Sequence, residues 1–241
     1  MVIRLSVDPL AYSASFVAIR TGLFAAMAAY LLVRWRQKPD RFYTDIPFLM
    51  AVSFLVMAVV KSIDLALLFS EAARNPVMTD PTTPEELQAF YLLKTRYYLI
   101  VFPVAIYVFV LGRVWLYGRK KLQYGLTLAY SALLSLLVLP ARNYLELTSA
   151  LPLFVVPLLI FGISFLLLHY KRSLSQVNCF LLGAGFVAYF VSSLARPLIQ
   201  SGTGSILAGL ILPELVDIVV WTVIFASFLV KPGYLRKAEA S

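Results

Sequence analysis

The sequence predicts an all-α, polytopic integral membrane protein, a single bundle of seven transmembrane helices over residues 1–241. Three observations carry that prediction. Hydrophobic residues make up 61% of the chain and charged ones only 14%, with a mean hydropathy of +0.85. A soluble domain carries about a quarter charged residues. The apolar runs reach the roughly 20 residues that a helix needs to cross a hydrocarbon core of about 30 Å. Finally, Lys and Arg are divided unevenly between the loops on the two sides.

Seven runs qualify, over about 10–34, 46–70, 88–117, 122–140, 149–170, 177–199 and 206–230. Helices are the open-ended solution in lipid because each satisfies its own backbone. Asp8 followed by Pro9 reads as an N-cap with proline at the first helical position. Thr83, Pro84 and Glu86 read as a capping box that starts the third helix at Pro84. Gln200–Ser205 reads as a turn between the last two spans. No small-residue cleavage site follows the first span, so it is expected to direct insertion itself.

Orientation follows from the loops. One side carries thirteen basic residues, among them Arg34, Arg36, Lys38, Arg41, Arg113, Arg119, Lys120, Lys121 and Lys171, against Asp40, Asp45 and Glu239. The other carries Arg4, Arg74 and Arg142 against six acidic residues. The basic side is expected to be cytoplasmic, with the N-terminus outside and the C-terminus inside a cell membrane whose inner leaflet is anionic. Trp35, Trp115, Tyr97 and Tyr98 fall at helix ends and are expected in the interfacial belts.

The net charge of +9 is thus mainly a topology signal. The aromatics lie in the spans rather than among the basic loops, so the pattern of a nucleic-acid groove is missing. A dock for other membrane or cytoplasmic subunits is the remaining use of that basic face.

Six charges remain within the spans: Arg20, Lys61 and Arg196 against Asp64, Glu214 and Asp217. Counting from the inner helix ends puts all six about 20–28 Å up. One unpaired charge near the bilayer centre costs about 2.5–3.5 kcal/mol on insertion scales. Six separate exposures would be prohibitive, and the signs cancel, so the six are expected to face one shared interior. Lys61 and Asp64 also meet at i and i+3, as do Glu214 and Asp217. Lys94 and Arg96 are expected to sit apart, at the outer interface, because the third helix outruns the membrane and long side chains snorkel. Pro103, Pro157, Pro197 and Pro213 interrupt helices, and such breaks can line cavities.

Several chemistries find no support. His169 is the only histidine and Cys179 the only cysteine, so haem and iron–sulfur ligation lack their ligand sets. Neither a catalytic nor a zinc motif is present, no cofactor is implied, and the chain is not expected to be an enzyme. The basic neighbours of the three carboxylates disfavour a metal. The last span has no mid-span lysine, so a retinal pigment is excluded. Aligning 47–64 with 179–196 pairs Phe48, Leu49, Phe54 and Val59 with Phe180, Leu181, Phe186 and Val191, which suggests three helices, a linker helix and three more. Small sugar-type transporters resemble this plan, with parallel repeats. The residues together point to a translocator or translocation subunit for a small polar solute, with anions among the candidates. The alternatives are a receptor that needs a separate signalling partner and a membrane subunit of an import or secretion assembly.

Overall fold

The computed structural model describes residues 9–71, 80–171, 177–202 and 206–231. Its helices are α1 (Pro9–Arg36), α2 (Ile46–Leu68), α3 (Pro84–Trp115), α4 (Lys120–Val138), the short α5 (Tyr144–Ser149), α6 (Leu151–Tyr170), α7 (Cys179–Gly202) and α8 (Ile206–Leu229). Among the described residues seven segments are long and apolar enough to cross a membrane: α1 to α4, α5 continued by α6, α7 and α8. That fits a multi-pass membrane protein.

The capping box forms as its spacing implies. Thr83 accepts from the Glu86 amide, and Glu86 accepts from the Thr83 amide. The short α5 was not foreseen as a separate helix. Asn143 caps it by accepting from the Glu146 amide at 2.9 Å, a signal that the spacing of Asn143 and Glu146 carries. Asp8, Arg4, Arg74, Arg172, the turn residues Thr203–Ser205, Arg236, Lys237 and Glu239 lie outside the described residues.

Six helices close into a ring. α1 packs on α2, α2 on α3, α3 on α6, α6 on α7, α7 on α8, and α8 returns to α1. α4 stands outside this ring against α3. Gly118, at φ +83°, reverses the chain between the two, a left-handed conformation that a side chain would disfavour.

Each ring helix turns one stripe inward. On α1 the buried positions are Val17, Arg20, Phe24, Met27, Ala28 and Leu31, the three-and-four spacing of a single helix face. Met50, Phe54, Met57 and Lys61 do the same on α2, and Asp217, Trp221, Ile224 and Phe228 on α8. Three of the charges therefore occupy slots in otherwise apolar core stripes. The opposite faces carry Ile19, Leu55, Val59, Phe102, Ile160 and Val219, all exposed, as a lipid-facing wall would.

Rings stack through the middle of the bundle. Phe24 lies 4.8 Å from Trp221 between centroids, Tyr107 lies 5.2 Å from Phe186, and Phe161 4.6 Å from Phe186. Phe54 joins at 5.7 Å from Trp221. These edge and tilted contacts fill the axis on the side toward the basic loops. There Arg113 donates to the Thr44 carbonyl at 2.6 Å, Arg34 donates to the Phe228 carbonyl, and Lys171 covers the Trp115 ring.

α6 and α7 approach backbone to backbone. A Cβ added to Gly183 would lie 2.7 Å from the Gly162 carbonyl oxygen, and one added to Gly162 would lie 2.9 Å from the Val187 amide. Small residues permit such contact between apolar helices. Gly183→Val is expected to cost at least the 1–3 kcal/mol typical of overpacking, because backbone must move. Unfolding in mixed micelles would measure it; wild-type stability would mean that the two helices are not in register at these glycines.

Candidate functional site

The inward-facing charges assemble one to two turns beyond the aromatic stack. They form two groups. In the first, Arg20 of α1 pairs with Asp217 of α8 and lies 2.8 Å from Glu214 Oε2, an ion-pair contact without hydrogen-bond alignment. Arg196 of α7 donates to Glu214 at 3.1 Å and to Asp217 at 2.6 Å. Ser192 donates to the other Asp217 oxygen at 2.9 Å. The side chains of Arg20, Asp217 and Glu214 are buried and that of Arg196 is partly exposed, so two cations and two carboxylates form a network open at one member.

The second group lies across α2 and α3. Lys61 and Arg96 both pair with Asp64. Two cations here share one carboxylate. Lys61 is buried, while Asp64 and Arg96 are partly exposed.

All six expected residues thus face the interior, divided between two groups rather than joined in one. Arg96, expected apart at the interface, belongs to the second group. The physical reason is its height: nineteen residues from Trp115, or about 28 Å, put it level with Asp64. The same count that placed the other charges finds it when taken from the inner end of α3. Lys94 does stand apart, donating to the Ala141 carbonyl at 3.0 Å and covering the Phe90 ring. Tyr97, expected in the outer belt, is buried instead against Phe154, whereas its neighbour Tyr98 is exposed. Cys179 is fully buried.

With Arg96 included, the site no longer balances. Four cations meet three carboxylates. Counted by direct ion pairs, the surplus positive charge falls in the Lys61–Asp64–Arg96 group, which also lies within electrostatic reach of Arg20 and Glu214 through Lys61.

A cavity of about 250 Å³ occupies the centre of the ring at this level. All six ring helices line it and α4 does not. Arg20, Lys61, Arg96 and Arg196 reach it, but of the three carboxylates only Asp217 does. Tyr97, Tyr107, Tyr189 and Ser193 add hydroxyls, and Trp221 of the aromatic stack forms part of the wall. The wall from α6 is wholly apolar: Leu151, Phe154, Val155 and Leu158. These uncharged members gave no sequence signal, because apolar and aromatic residues are spread throughout the spans.

Among the described residues, two buried donors on side chains that line this cavity have no partner, Arg20 Nε and the Trp221 indole N–H, and both atoms are closed off from its surface. Among the described residues no cluster of His, Cys, Asp and Glu could hold a metal; the carboxylates are held by guanidinium and ammonium groups instead. The charge of the lining favours an anion. The chain matches no family model, no curated protein and no solved structure.

Proposed function

We propose that this chain is a membrane translocator for a small polar anion, which binds in the central cavity. The observation that carries the reading is the lining: four cations and one carboxylate around a partly open cavity to which six helices contribute. Lys61 and Arg96, which share Asp64, would hold the anion's charge beside Arg20, and Asp64 would be the counter-ion that it competes with. A carboxylate released from its cation in a dry interior favours taking up a proton, which would couple anion and proton movement. Pro103, Pro157 and Pro213 lie inside α3, α6 and α8. Proline removes a helix hydrogen bond and gives these helices a place to bend. In this proposal the basic end faces the cytoplasm, by the uneven loop charge, and the cell membrane is the site of action.

One observation favours a second reading. The aromatic stack fills the axis between the cavity and the basic end, as a receptor that binds without passage would require. Uptake into reconstituted vesicles separates the two. Translocation predicts saturable accumulation of radiolabelled organic anions and none of organic cations. Anion binding without accumulation would transfer the case to the receptor, and cation uptake would end both.

A further inference from the structure

The proposed anion site leaves the kind of anion open, and the cavity narrows it. Its volume, about 250 Å³, exceeds the roughly 150 Å³ of an apolar cavity that takes benzene. It falls below the 300–1,000 Å³ of ordinary drug-sized sites. One ring or a short branched chain with a charged arm fills it.

The charge arrangement sets the valence. Arg20 and Arg196 are matched by Glu214 and Asp217, while Lys61 and Arg96 share Asp64 alone. One negative charge completes the site, and a second would leave it over-neutralised in a dry interior. The apolar face sets the remainder of the molecule. Ile100 and Val104 follow Arg96 along α3 at one and two turns, and Phe154 and Leu158 face the cavity from α6. A fully hydrated ion such as sulfate would leave that wall without a partner.

We infer that the cavity takes a small amphipathic monoanion, a monocarboxylate with one ring or a branched chain of similar size. Its carboxylate sits between Lys61 and Arg96 and its apolar end lies on the α6 wall. This inference rests on the anion site proposed above.

Titration calorimetry on the full chain in detergent micelles tests it, with phenylacetate, phenylacetamide, acetate and phenyl phosphate as probes at pH 8. Phenylacetate is expected to bind at least about tenfold more tightly than the other three. The amide lacks the charge, acetate lacks the ring, and phenyl phosphate carries a second charge. Arg96→Gln is expected to weaken phenylacetate at least about tenfold, the loss of one charged hydrogen bond, with Arg96→Lys recovering part of it. Phe154→Ala should weaken phenylacetate and leave acetate unchanged. Elution volume on gel filtration verifies that each variant is folded. Tighter binding of phenyl phosphate or acetate than of phenylacetate would overturn the monoanion inference and leave the anion site standing. Failure of all three anions to bind the folded wild-type chain would remove both.

Discussion

Asp217→Asn is expected to be the most destabilising single change in the charged interior, at about 3–5 kcal/mol. Asp217 is the carboxylate on which Arg20, Arg196 and Ser192 converge. Its loss leaves two guanidinium groups on Glu214 alone, and Arg20 is only 1% exposed. The argument predicts a specific rescue. Removing the excess cation as well, by Arg196→Gln in the Asp217→Asn background, leaves Arg20 paired with Glu214 and should recover much of the loss. Arg196 suits that role because it is partly exposed and costs less to neutralise. Unfolding of the purified variants in mixed micelles measures both steps. A stable Asp217→Asn, or a double variant weaker than the single, would mean that these groups are hydrated separately.

Lys61→Met is expected to do the opposite: abolish uptake by more than about tenfold while the protein stays folded. Asp64 keeps Arg96 when Lys61 is removed, so no buried charge is stranded. Methionine is of comparable length and fits an apolar stripe that already contains Met50, Phe54 and Met57. The expected stability change is well below the roughly 3–5 kcal/mol of a stranded buried charge. The proposed function, by contrast, loses one of the two cations of the group that carries the surplus charge. Uptake into reconstituted vesicles, normalised to folded protein, is the measurement. Unchanged saturable uptake would take Lys61 off the solute's path.

The contrast between these residues marks how far the sequence could be read. The spans were legible because length and hydropathy set them, and their ends were found within a few residues. The capping residues Thr83 and Glu86 were legible as local chemistry. The inward charges were legible because the bilayer penalises any other placement. The inside of the bundle was not. In a soluble helix the polar face shows which side is buried. Here Leu55 and Val59 face outward and Phe54 and Met57 face inward, and nothing in their chemistry distinguishes them. The apolar α6 wall was hidden for that reason. Arg96 was missed for another: a helix longer than the membrane has no fixed zero of depth, and measuring α3 from its outer end placed Arg96 at the surface. The split into two groups depends on which helices are neighbours around the ring, which helical periodicity alone does not specify.

Thiol labelling at Ser193 tests the central claim most directly, that the ring encloses a positively charged, solute-accessible cavity. Ser193 lines that cavity, and the only native cysteine, Cys179, is buried, so a Ser193→Cys chain offers one reactive position with the wild type as background. Two methanethiosulfonate reagents of similar size are compared, one carrying a sulfonate and the other a trimethylammonium group. The account predicts labelling by the sulfonate reagent on the order of tenfold or more faster, as a focused positive potential demands, with phenylacetate slowing it. Equal rates, faster labelling by the cation, or a position that neither reagent reaches would contradict it.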